Sequence, residues 1–235
     1  AGLAGSVAGL ASLVSYPALL ALGLPPVTAN MSNTVALVFS SVGSVWGSRP
    51  EFKGQRARAK YLAPIAVAGG LIGGILLLET PSRTFSLVEP WLNGLAALTI
   101  VIPRDSRRRA PDASGRPTWK LTVGVFLVAV YGGYFGAAAG VLLLAFLTIA
   151  TAESLARDNA MKNLLVGLAN AVAATAFVIF GPVRWVPVIP LAIGCLLGGR
   201  LGPTIVRRVP PRPLRALIAC GGLGLAVHLG LGAYR

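Results

Sequence analysis

Three stretches of this chain, Tyr61 to Leu78, Phe85 to Ile102 and Leu214 to Tyr234, run 18 to 21 residues with hardly a charge among them. That is the length a helix needs to cross a hydrocarbon layer about 30 Å thick. Inside lipid, every backbone N–H and C=O must be paired within the spanning structure, and these runs lack the alternation of a barrel strand, so they read as helices. The whole chain agrees, with 55% hydrophobic and 12% charged residues and no polar stretch long enough for a soluble unit. The expectation is an all-α integral membrane protein with one transmembrane domain over 1–235.

The formal charge of +14 comes from 21 basic and 7 acidic residues. In a soluble protein that balance would point to nucleic acid. Here the basic residues fall in the short gaps 48–60, 103–120 and 200–215. The positive-inside rule places such gaps in the cytoplasm, which makes this a multi-pass inner-membrane protein whose loops meet anionic lipid headgroups and not nucleic acid. Cys195 and Cys220 lie inside apolar runs and read as small buried hydrophobes, not as a disulfide. Ala1 opens directly on membrane-like sequence without the basic leader of a signal peptide, so a chain trimmed ahead of Ala1 is expected.

Two similar halves, 1–102 and 119–235, flank a basic linker at 103–118. Each half opens on a Gly- and Ala-rich apolar segment with breakers inside it: Gly5, Gly9 and Pro17 in the first, and Gly132, Gly133, Gly136 and Gly140 in the second. A polar cluster follows in each, Thr28-Ala-Asn-Met-Ser-Asn-Thr34 and Arg157-Asp-Asn-Ala-Met-Lys-Asn163, with Asn30 and Asn159 separated by 129 residues. Then come glycine ladders, Gly69, Gly70, Gly73 and Gly74 against Gly194, Gly198 and Gly202, which suit close helix packing. An internal duplication of this kind is a common construction for secondary transporters.

Charge also orients the halves. The basic gap precedes the glycine-ladder helix in the first half and follows it in the second. Eight plain spans in two parallel repeats would leave the 200–215 cluster outside. Two inverted repeats, each a broken or re-entrant helical element plus three transmembrane helices, put all three basic gaps on the cytoplasmic side, and this is the favoured reading.

A helix broken inside the membrane exposes unpaired N–H groups at the start of its second part, and the macrodipole adds about half a positive charge there. Two such breaks meeting near the midplane would hold an anion. The candidate substrate-binding residues are therefore Ser12, Ser15, Gly133 and Gly136 at the breaks, and Asn30, Ser32, Asn33, Thr34, Asn159, Lys162 and Asn163 in the polar clusters. Capping accounts for some of the Ser and Asn residues. It does not account for Lys162, because an ammonium near the bilayer centre costs roughly 2.5 to 3.5 kcal/mol on insertion scales. Asn170 offers a further donor or a helix-to-helix hydrogen bond. Glu79, Glu89, Asp158 and His228 are the candidates for proton coupling, with Glu79 and Glu89 reading rather as loop-end charges and His228 as a packed residue.

The run Gly5-Ser-Val-Ala-Gly9, Tyr16-Pro17-Ala-Leu-Leu, Leu22-Gly-Leu-Pro-Pro26 and Ala29-Asn-Met-Ser-Asn-Thr34 resembles the first repeat of the sulfite exporter TauE/SafE family. Tyr131-Gly-Gly-Tyr-Phe-Gly136, Asp158-Asn-Ala-Met-Lys162 and the turn from Gly181 to Trp185 resemble its second repeat, so the likeness covers essentially the whole chain. Leu10-Ala-Ser-Leu-Val-Ser15 departs from the family's usual glycine run. The resemblance implies a permease for small anions, sulfite, sulfonates and related organosulfur or carboxylate species among them, in many cases exported.

Other classes fit less well. One histidine, two separated cysteines and no HExxH argue against an intramembrane enzyme and against any metal or other cofactor. A passive anion channel or a membrane chaperone shares the composition. Homodimer formation is left open by the sequence.

Overall fold

The computed structural model describes residues 1–88, 91–92, 119–151 and 153–208. The expected spans Phe85 to Ile102 and Leu214 to Tyr234, the linker 103–118, Glu89, His228 and Cys220 lie wholly or largely outside those residues. Among the described residues the structure is helical, without strands: α1 (Gly2–Ala8), α2 (Ala11–Ala21), α3 (Pro26–Gly47), a 3-10 turn (Arg49–Phe52), α4 (Arg56–Glu79), α5 (Trp119–Tyr134), α6 (Ala139–Ala150), α7 (Leu155–Phe180) and α8 (Trp185–Arg208). Residues 82–88 are also helical.

Both leading segments break and double back. In the first, Gly9 takes a left-handed φ of 77° after α1, and Leu10 carries the chain into α2. A Cβ built on Gly5 would lie 2.6 Å from the Ala11 Cβ, so α2 turns back beside α1. In the second, Gly136 and Ala138 have φ of 75° and 57°. The left-handed region costs an alanine about 1 to 2 kcal/mol, strain that the surrounding structure must hold in place. Tyr131 Oη donates to Ala137 O at 2.7 Å across this break. Gly132 faces Ala139 and Gly124 faces the Phe146 ring, so α6 retraces α5 as the other arm of a helical hairpin.

Each hairpin leans on the opposite half of the chain. α1 packs on α8, while α5 packs on α4. Glycine makes both seams possible: a Cβ on Gly198 of α8 would meet Leu3 N of α1 2.7 Å away, and Gly73 of α4 touches the carbonyl of Val130 on α5. The ladder glycines thus serve as packing surfaces, as their spacing suggests. Gly194, with nothing near its missing side chain, is the exception. α3 and α7 cross at the centre, where Gly167 meets Ser41.

α4, α7 and Trp185–Arg207 of α8 are long and apolar enough to cross a membrane. Ile189, Ile193, Leu197 and Leu201 form an exposed stripe down α8, and Leu71, Ile72, Ile75 and Leu76 form one on α4. Apolar surface laid out this way suits hydrocarbon, not water. Basic residues gather at one end of the bundle. Arg207 donates from Nε and Nη2 to the two Glu51 carboxylate oxygens at 2.6 and 2.8 Å, and from Nη2 to Gly47 O at 2.9 Å. The Arg200 guanidinium stacks 4.2 Å from the Trp46 ring, with Arg49 5.7 Å from the same ring. Tyr61 and Thr122 hydroxyls, 3.1 Å apart, bring the start of α5 to this end as well. The described parts of all three basic gaps therefore share one face of the molecule.

Candidate functional site

Asn159, Lys162 and Asn163 lie three and four residues apart on α7, so they share one face of that helix. All three aim at the last turn of α1, at Ser6 O and at Gly5 O, which also accepts the Gly9 N–H at 2.8 Å. Lys162 Nζ donates to Gly5 O at 3.0 Å and Ser6 O at 3.3 Å, while Asn159 Nδ2 and Asn163 Nδ2 reach Ser6 O at 3.0 and 3.2 Å. The lysine is 1% exposed and does not snorkel. Its positive charge sits against the negative end of a helix dipole, which makes burial tolerable. An ammonium has three N–H groups, so two carbonyls leave one over.

Beside Lys162 lies a cavity of about 40 Å³, lined among others by Gly9, Ser12, Gly136, Gly140, Asn163 and Asn170. The N-terminal turns of α2 and α6 both border it, and neither has a side-chain cap. Their dipoles add positive potential beside the ammonium, although in α6 the Ala139 and Val141 N–H groups are taken up by Gly136 O and Ala138 O. The two breaks touch here, since a Cβ on Gly140 would lie 2.7 Å from Gly9 Cα. Ser12 Oγ makes only a long contact to Gly136 O, 3.5 Å. A few-atom anion could be enclosed in such a space; by the usual volume per water centre it would hold roughly three waters.

Of the sequence candidates, Ser12, Gly136, Lys162 and Asn163 meet at this cavity, with Asn159 one contact away. Asn30 reaches the other hairpin, where its Nδ2 donates to Tyr134 O, the last residue of α5, at 2.9 Å, and Asn33 is buried one turn further along α3. The remaining four have partners away from the cavity. Ser15 Oγ bonds back to Ala11 O at 2.9 Å, because the first break falls at Gly9–Leu10 and leaves Ser15 a full turn inside α2. Thr34 Oγ1 does the same to Asn30 O at 3.0 Å. Ser32 Oγ accepts the Arg184 N–H at 3.0 Å, tying α3 to the turn before α8. Gly133 packs against the Gly70 backbone.

Ser40, Ser41, Leu37 and Val166 also line the cavity and escaped the sequence reading. The spacing from Asn33 to Ser40 and Ser41 is two helical turns, a signal too common in membrane helices to single them out. Near the basic face, buried Asp158 accepts from Thr151 Oγ1 at 2.7 Å and lies 3.9 Å from Arg58. Glu79 is exposed at the end of α4, a loop-end charge. On the same basic face the Glu51 carboxyl is held below the usual carboxylate range, chiefly by the hydrogen bonds from Arg207.

The model of the family described as sulfite exporter TauE/SafE matches residues 1–229. The chain belongs to that family. Among curated proteins it is similar to "Probable membrane transporter protein ORF9" of Sinorhizobium sp, 25% identical over 97% of this chain and 88% of that one. It is also similar to "Probable membrane transporter protein YfcA" of Escherichia coli K12, 27% identical over 93% of this chain and 81% of that one. No solved structure matches. With its apolar helices, the family member described here is a multi-pass membrane transporter.

Proposed function

We propose that this transporter exports small anions such as sulfite, sulfonates or related organosulfur and carboxylate anions across the inner membrane, binding them between the two hairpin breaks. The observation that carries this reading is the cavity where the Lys162 ammonium and the uncapped N-termini of α2 and α6 converge. Three sources of positive potential, and no acidic side chain in the lining, favour a negative solute. The size of the space favours few-atom anions, while larger sulfonates require its walls to part.

The two halves, 1–102 and 119–235, act as inverted repeats joined by the linker 103–118, each carrying one hairpin that leans on the other half. Alternating access comes from rocking of one half against the other along the glycine seams, and the basic face lies in the cytoplasm. A negative cell interior assists anion efflux by about 2.3 kcal/mol per charge per 100 mV, so export needs no coupled ion.

The test is counterflow in proteoliposomes loaded with sulfite, preceded by a thermal-shift screen of sulfite, sulfonates, thiosulfate and small carboxylates on purified protein. Saturable, competable exchange of labelled sulfite is the expected result. Flux that rises without saturation would make the protein a channel, and no flux for any anion in the screen would end the transport reading.

A further inference from the structure

A second, smaller space adjoins the anion cavity. It measures about 10 Å³ and is walled by Ala66 of α4, Val125 and Gly132 of α5, and Ala139 and Leu143 of α6, all of them buried. Val166 and Asn170, one turn apart on α7, line this space and the anion cavity alike. The second break also serves both, with Gly136 and Gly140 on the anion cavity and Gly132 and Ala139 on the smaller space. Apart from Asn170, every side chain in the smaller lining is apolar. A water needs two to four polar partners, and among these side chains only Asn170 offers any, so the space suits a methyl group better.

Two observations make this space more than a packing gap. Gly132 lies inside α5, where glycine weakens a helix relative to alanine. Packing demands glycine at the neighbouring position, because a Cβ on Gly133 would run into the Gly70 backbone. Packing makes no such demand at 132, where a Cβ would meet only the Ala139 Cβ, at an ordinary 3.4 Å. What glycine preserves there is the empty volume. The other observation is Asn170, 6% exposed, whose amide has no hydrogen-bond partner among the described residues. Buried amides are ordinarily paired, and an open donor on the shared wall can meet an oxygen of a bound anion.

We infer that the substrate of this transporter carries a short apolar tail. Its anionic head lies beside Lys162, Ser12 and Asn163, Asn170 donates to a head oxygen from the shared wall, and a terminal methyl fills the space at Gly132. The inference rests on the anion reading above and narrows it, from small anions in general to short-chain alkyl sulfonates or carboxylates. Sulfite has no carbon and would leave the space void, its lining short of partner atoms. Val166 and Asn170 are then the walls that part for a sulfonate larger than sulfite.

The experiment titrates purified protein with sulfite and with methane-, ethane-, propane- and butanesulfonate, reading affinity by thermal shift. The sulfonates share one head and one charge, so only the tail varies. Affinity should rise by about fourfold, the worth of one buried methylene, at the chain length whose methyl reaches the space, and fall for longer chains. Gly132→Ala fills the space with its own methyl and should erase that maximum while still binding sulfite. Leu143→Val widens the space and should move the maximum to a longer chain. It carries the test if Gly132→Ala, checked for helical content and a single gel-filtration peak, does not fold or loses sulfite as well. A series that falls from its first member, a rise that continues through butanesulfonate, or a maximum that stays put in the variants overturns the tail site. A flat series beside a clear sulfite shift removes the tail site alone and leaves the anion reading standing. No shift with any of these anions removes both.

Discussion

At the break of the first hairpin, three side-chain donors from α7 crowd onto Gly5 O and Ser6 O; at the break of the second, Asn30 alone is seen to reach Tyr134 O from α3. The backbone devices are alike, a left-handed glycine and a chain that doubles back, yet the charge is confined to one side. A near-repeated scaffold has thus been given a one-sided site. The two breaks share their backbone geometry, while a single residue difference, Lys162 against Asn33 at the 129-residue spacing, separates the helices that face them.

The comparison can be broken first at the breaks themselves. Gly9 touches Gly140 backbone to backbone, whereas a Cβ on Gly136 would come no nearer than 3.0 Å to Gly132 O. Gly9→Ala should therefore cost on the order of 3 kcal/mol, from overpacking added to a left-handed backbone, and Gly136→Ala about 1 to 2 kcal/mol. Melting temperatures of the two variants check this, and equal losses would mean the breaks are held alike.

Lys162→Ala comes next. It should weaken sulfite binding tenfold or more, about 1.4 kcal/mol, in a thermal-shift titration. Unchanged affinity would remove the lysine from the site.

Asn30→Ala and Asn159→Ala delete equivalent contacts with unequal consequences. Ser6 O keeps Lys162 and Asn163 when Asn159 is lost, but Tyr134 O loses its one described side-chain donor with Asn30. Denaturant or thermal unfolding should show a loss of about 1 to 2 kcal/mol for Asn30→Ala, in the range of an orphaned buried acceptor, and a smaller one for Asn159→Ala. The reverse order would contradict the asymmetry described above.

The smallest effect lies on the basic face. Arg207 holds the Glu51 carboxyl below its ordinary range. Its contribution to stability is therefore full above the unfolded-state value and fades as pH falls through the lowered folded value. Wild-type melting should drop more steeply than that of Glu51→Gln below the ordinary carboxylate range, and parallel curves would show that the ion pair contributes nothing.

Much of this arrangement could be read from residue order. The 129-residue spacing paired Asn30 with Asn159, hydropathy put Lys162 in an apolar helix where it is now seen buried, and four-residue glycine spacing announced the seams now seen at Gly70 and Gly73. The partners could not be read. Gly5 O, Ser6 O and Tyr134 O are backbone atoms, and which carbonyls a break releases depends on where the chain turns, a matter of φ at Gly9 and Gly136 and not of composition. Ser15 shows the cost of that blindness. Moving the break to Gly9–Leu10 turned a candidate ligand into a hydroxyl bonded within its own helix.

Where Gly9 meets Gly140, main chain rests on main chain, with no side chain that could swing aside like a door. Any opening at that level demands displacement of entire rods.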